Sequence, residues 1–99
     1  MPRRFDVFRT PEGTLVTIAQ NDLLDAMSTR VVLPLLPAGS GMRPARTLNP
    51  EVLVGGEAFV LLPQLAATLT IAALGVHVGS IAAQRDAVTR AIDMLLSGI

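Results

Sequence analysis

The sequence holds one histidine, His77, and no cysteine. That composition excludes thiolate nucleophiles, disulfides, cysteine metal sites and multi-histidine metal sites, and leaves any acid–base scheme a single imidazole. His77 stands between Val76 and Val78, a setting that points to a structural role. Ser28, Thr29 and Arg30 follow Asp25 and could be written as a nucleophile beside a phosphate-binding group, but no glycine-rich strand-to-helix loop accompanies them. Asp22 and Asp25 are three positions apart, close enough to meet on a turn, although ordinary solvated loop residues share that spacing. Gly55-Gly56 lacks the spacing of a nucleotide fingerprint. The aromatic residues are Phe5, Phe8 and Phe59 alone, which leaves no stacking platform for single-stranded nucleic acid. These residues support a binding protein more readily than an enzyme: no catalytic, cofactor-binding or metal-ligating residue is assigned.

Three further features read as interface. Leu23-Leu24 is an apolar pair flanked by Asp22 and Asp25, so it either faces a partner or tucks inward on a turn. The chain ends Met94-Leu95-Leu96-Ser97-Gly98-Ile99, apolar almost to the carboxylate, where termini are usually polar and frayed. Arg43 and Arg46, in the stretch ending at Pro50, would suit an acidic partner or a solvated arm.

The elements that must position these residues follow from periodicity. Phe5 and Val7, a turn at Thr10-Pro11-Glu12-Gly13, then Leu15, Val16 and Ile18 predict a hairpin. Residues 30–36 form an apolar run that is a strand only if Pro34 lies on an edge or at a bulge. Residues 37–50 read as an irregular excursion or an inserted arm. Gly55-Gly56 joins residues 51–54 and 57–62 in a second hairpin, and residues 68–74 and 76–78 supply further short strands. From Ser80, a plausible N-cap, the period becomes helical: Ile81, Val88, Ala91, Ile92 and Leu95 share a face, predicting a helix over about residues 81–96 with Gly98 as its left-handed stop. Strands followed by one helix argue an α+β, mainly β chain, with a small barrel or twisted sheet packed on a helix.

With 99 residues the chain is predicted to be a single domain, burying roughly 64% of its surface on folding. Hydrophobic residues are 51% and charged residues 16%, few enough charges to predict a homo-oligomer, most simply a two-fold dimer. Eight Arg balance eight acidic residues, for zero formal charge, so no footprint for phosphate-backbone binding is evident. Residues 58–84 carry no charged side chain and match the length of a membrane span, but Pro63, Gln64, Gly75, His77 and Gly79 interrupt the run, and buried strands are the preferred reading. No secretory signal is visible, and a cytoplasmic protein is expected.

Five separated segments carry a resemblance. Phe5-Asp6-Val7, residues 20–25 (QNDLLD), residues 30–35 (RVVLPL), Leu48-Asn49-Pro50 and residues 91–99 (AIDMLLSGI) resemble the CcdB family of toxins, in order and from about Phe5 to Ile99. The resemblance implies an SH3-like small β-barrel with an inserted sheet arm and a C-terminal helix, paired as a homodimer with the helices near the two-fold axis. It implies the toxin of a type II toxin–antitoxin system, which binds the DNA gyrase A subunit, traps the gyrase–DNA cleavage complex and is neutralised by a cognate CcdA-like antitoxin, without bond-making chemistry of its own. No cofactor, no sequence-specific nucleic acid and no membrane partner is implied. The gyrase-binding residues it implies are Leu23, Leu24, Asp93, Leu96, Ser97, Gly98 and Ile99. Here Leu96-Ser97 replaces an aromatic Phe-Trp pair, and Asp93 replaces an Asn; an aromatic anchor of that sort commonly contributes at least about 2 kcal/mol. The alternatives are a ribonuclease toxin on the same barrel, using Arg30 with Ser28, Thr29 or His77, and a non-toxic member that only binds an antitoxin.

Overall fold

The computed structural model describes residues 1–41 and 43–98. Seven strands make one curled sheet: β1 (Asp6–Arg9), β2 (Leu15–Ile18), β3 (Thr29–Pro37), β4 (Glu51–Val54), β5 (Glu57–Leu61), β6 (Ala67–Thr70) and β7 (Val76–Ser80). Their order is β4-β5-β3-β2-β1-β7, with β6 also paired to β3, and every pairing is antiparallel. One helix, α1 (Arg85–Ser97), closes the chain. This is the expected mainly β half-barrel with a C-terminal helix.

The sheet buries both faces at its centre, and side-chain alternation sorts the core in two. Val7, Leu15, Leu33, Leu35, Val52, Phe59 and Leu61 pack inside the curl under Val88 and Ala91 of α1. Phe8, Val16, Ile18 and Val32, of opposite parity, pack under Leu74. All four residues of β2 are therefore buried, rather than alternating between core and water.

Three local expectations are corrected. Pro34 is neither on an edge nor at a bulge. It pairs with Val16 of β2, while on the other flank the partner changes from β6, which stops at Val32, to β5, which starts at Leu35. The proline occupies the gap between partners, where no N–H is required, and its carbonyl accepts the Leu62 N–H at 3.0 Å. The stretch 68–74 is a strand only to Thr70; Ile71–Leu74 is a 3-10 turn, whose last side chain covers the second core. Ser80 is not the helix N-cap: its hydroxyl accepts the Ala82 N–H at 3.1 Å ahead of the 3-10 turn Ala82–Gln84, whose N-cap position is Ile81, and α1 itself begins at Arg85 with no side-chain cap. At its other end Gly98 takes the left-handed conformation (φ 73°) and donates its N–H to the Met94 carbonyl, as its sequence position predicts.

Candidate functional site

The loop from β2 to β3 is built to hold still. Asn21 accepts the Leu23 N–H at 2.9 Å and caps the 3-10 turn Asp22–Leu24. The Asp22 carboxylate accepts the Arg4 N–H at 2.8 Å, with the Arg3 guanidinium 4.0 Å away. Gln20 spans the loop root: its amide N–H donates to the Leu24 and Thr29 carbonyls, and its oxygen accepts the Val31 N–H. Arg30, only 2% exposed, donates to four backbone carbonyls, those of Pro2 (3.4 Å), Asp25 (3.0 Å), Met27 (2.7 Å) and Thr29 (2.9 Å).

On this pinned loop the leucine pair turns outward. Leu23 is 88% and Leu24 50% exposed, which decides between the two readings of that pair in favour of the exposed one. Burial of a leucine side chain is worth about 1.5–3 kcal/mol, a gain this fold does not take at Leu23. Leu96, at the end of α1, is 77% exposed, and Asp93, Ser97 and Gly98 are exposed with it. Ile99 lies outside the described residues. An apolar groove of about 180 Å³ is lined by Ala19 and Val31, at the root of the loop, and by Ile92, Leu95 and Leu96 of the helix. The root of the loop and the helix end thus share a groove that Leu23 and Leu24 do not line. Sequence reading did not find the groove, because Ala19 and Val31 meet the helix only through the curl of the sheet.

The residues that could do chemistry are dispersed. Arg30 is consumed by the loop carbonyls and presents no guanidinium to a phosphate. Ser28 is exposed, and its carbonyl accepts the Ile71 N–H. Asp22 serves the loop. His77 is not a core residue: its side chain is 54% exposed, with Nε2 3.7 Å from Asp6 Oδ1. A register shift puts one extra residue, Val78, on β7, so that His77 comes opposite Phe8. A bulge of this kind re-aims side chains; the imidazole consequently meets the Phe8 ring edge-on at 5.3 Å and reaches Asp6 on the same face. The Arg3 N–H donates to Asp6 Oδ2 at 2.9 Å and orients the carboxylate. This Asp6–His77 pair, invisible in the sequence because strand pairing creates it, is an acid–base candidate at the sheet surface. Among the described residues no group of three or more His, Cys, Asp or Glu side chains could hold a metal ion, and no helix is long and apolar enough to cross a membrane.

With this geometry in place, comparisons with known proteins add the following. A family model described as "CcdB protein" matches residues 4–98. No curated protein matches the sequence. Among solved structures, an endoribonuclease in complex with its cognate antitoxin, from Mycobacterial species, superposes with a TM-score of 0.82 at 18% identity, over 97% of this chain and 95% of that one. A second endoribonuclease from Mycobacterial species gives 0.77 at 19% identity, over 96% and 90%. At these identities the likeness is one of fold. It overturns the expectation that the chain is no enzyme: proteins named endoribonucleases share its architecture over nearly the whole length.

Proposed function

The chain belongs to the CcdB family, and from that premise we propose that it is the toxin of a toxin–antitoxin pair, directed at the DNA gyrase A subunit and neutralised by a cognate antitoxin. The observation that carries the proposal is Leu23, an almost fully exposed leucine on a loop pinned by Arg30, Gln20 and Asn21. A rigid apolar side chain loses little entropy on docking, which is how a small surface anchors a partner. Leu24, Asp93, Leu96, Ser97 and Gly98, the other described residues that the resemblance to CcdB toxins implies for gyrase, are exposed on the same loop and on the helix end across the groove. Leu23 and Leu96 are the apolar anchors of this surface, and Ile99 completes the assignment. We place the homodimer seam along the apolar side of the helix end, where Leu95 lines the groove.

A second reading, an endoribonuclease toxin, is favoured by the names of the two structural neighbours. On this chain its acid–base group would be the Asp6–His77 pair, since Arg30 is withdrawn into the loop.

One parallel experiment separates the two. Purified protein is incubated with gyrase, supercoiled DNA and ATP, and separately with single-stranded RNA, and Leu23→Ser and a chain ending at Leu96 are compared with the full sequence. Linear DNA that accumulates only with gyrase, and at least about tenfold less with either variant, is the expected result. RNA cleavage without trapped DNA would transfer the assignment to the second reading.

A further inference from the structure

Away from the target surface, α1 and the segment before β4 enclose a second cleft, of about 240 Å³, lined by Arg46, Thr47, Pro50, Ala87 and Arg90. Two arginine residues thus line one small cleft. Among the described residues neither is paired with a carboxylate, although the helix carries Asp86 and Asp93 four positions before and three after Arg90. The segment holding Arg46 is fixed from behind: buried Asn49 accepts the Ala45 N–H at 3.1 Å and donates to the Leu61 carbonyl at 3.0 Å and to Gln64 Oε1 at 2.9 Å. The backbone next to Arg46 is thus held in place, and two like-charged residues line the cleft with no carboxylate paired to either.

We propose that this cleft is a docking site for an acidic protein segment, and, resting on the toxin reading above, that the segment belongs to the neutralising antitoxin. Charge complementarity points to carboxylates, because paired arginines accept them in a bidentate fashion. The remaining lining favours peptide over RNA. Pro50 and Ala87 offer a small apolar floor suited to aliphatic side chains, and no aromatic ring borders the cleft on which a base could stack; stacking is the usual source of affinity for single strands. The chain's zero formal charge likewise gives a phosphate backbone no broad field to follow. The cleft takes one or two acidic side chains of an extended segment.

The test uses the full-length protein and two dye-labelled probes, a hexaglutamate peptide and a six-nucleotide RNA, followed by fluorescence anisotropy at low salt. The variants are R46E/R90E and R43E, the latter changing a charge on the same arm away from the cleft. Melting temperatures confirm that each is folded. The expected result is saturable binding of hexaglutamate, weakened about tenfold or more in R46E/R90E and less than about twofold in R43E, and weakened by added salt. No peptide binding, preference for the RNA, or an equal loss in R43E would each overturn the proposal. Growth arrest on expression of the unaltered chain tests the toxin reading separately, so arrest without peptide binding removes the cleft assignment alone, and peptide binding without arrest removes the toxin reading alone.

Discussion

Arg30 shows how one buried side chain can organise a surface that it never reaches. Its guanidinium holds carbonyls from the N-terminal segment, from two positions of the loop before β3 and from Thr29 at the start of that strand. Arg30→Ala leaves those part-buried acceptors without their donor and removes a buried side chain, and is expected to lower the unfolding free energy by about 3 kcal/mol or more, read as a lower urea midpoint at unchanged slope. A loss below about 1 kcal/mol would show that water replaces the guanidinium. The same result bears on chemistry, because a toxin that loses activity through Arg30 loses it through the loop. His77 makes the opposite case. It is half-exposed and its contacts are Asp6 and the edge of Phe8, so His77→Gln should change stability by no more than about 0.5 kcal/mol. If the protein cleaves RNA with this imidazole, that variant should cleave at least about 100-fold more slowly; an unchanged rate would put the acid–base group elsewhere.

Between elements, the return of the chain to β1 depends on Gly75. It joins the 3-10 turn 71–74 to β7 at φ 84° and ψ −133°, and a Cβ there would fall on the Arg9 carbonyl oxygen in the neighbouring strand. Gly75→Ala is expected to cost more than about 2 kcal/mol, whereas Gly98→Ala, also at positive φ but in open space, should cost about 1 kcal/mol. Equal melting shifts for the two would remove steric crowding at Arg9 from the explanation. Such pairwise constraints are what the sequence could not disclose. The Gly55-Gly56 hairpin and the Gly98 stop were legible because a few adjacent residues determine them. The 71–74 turn was not, since Ile-Ala-Ala-Leu suits a buried strand and a helical turn equally, and the choice comes from Leu74 covering the second core. Pro34 was misread because its tolerance depends on where β6 ends and β5 begins. The candidate site divides in the same way: Leu23-Leu24 and the apolar helix end announced themselves as apolar residues among polar ones, while the Pro2 carbonyl at Arg30 and the Asp6 partner of His77 come from segments far apart in the chain.

At the scale of the molecule, the radius of gyration of 12.5 Å matches the about 12.6 Å expected of a compact chain of this length. Yet Val31, Leu95 and Leu96 remain exposed around the groove between sheet and helix. In the proposed dimer a second copy would cover the Leu95 side of this groove, along the one helix among the described residues. If folding and pairing are linked, mass action makes the melting temperature depend on concentration. For two chains of this size unfolding together, each tenfold dilution should lower it by about 3 °C. Leu95→Arg places a charge in the groove beside Leu96, and should give a monomer by light scattering whose melting temperature no longer changes on dilution. A monomeric mass and a concentration-independent melt for the unaltered chain would mean that the groove is left to another partner. Leu95→Arg would then leave the mass unchanged, and the loop leucines and helix end would act on their target as a single copy.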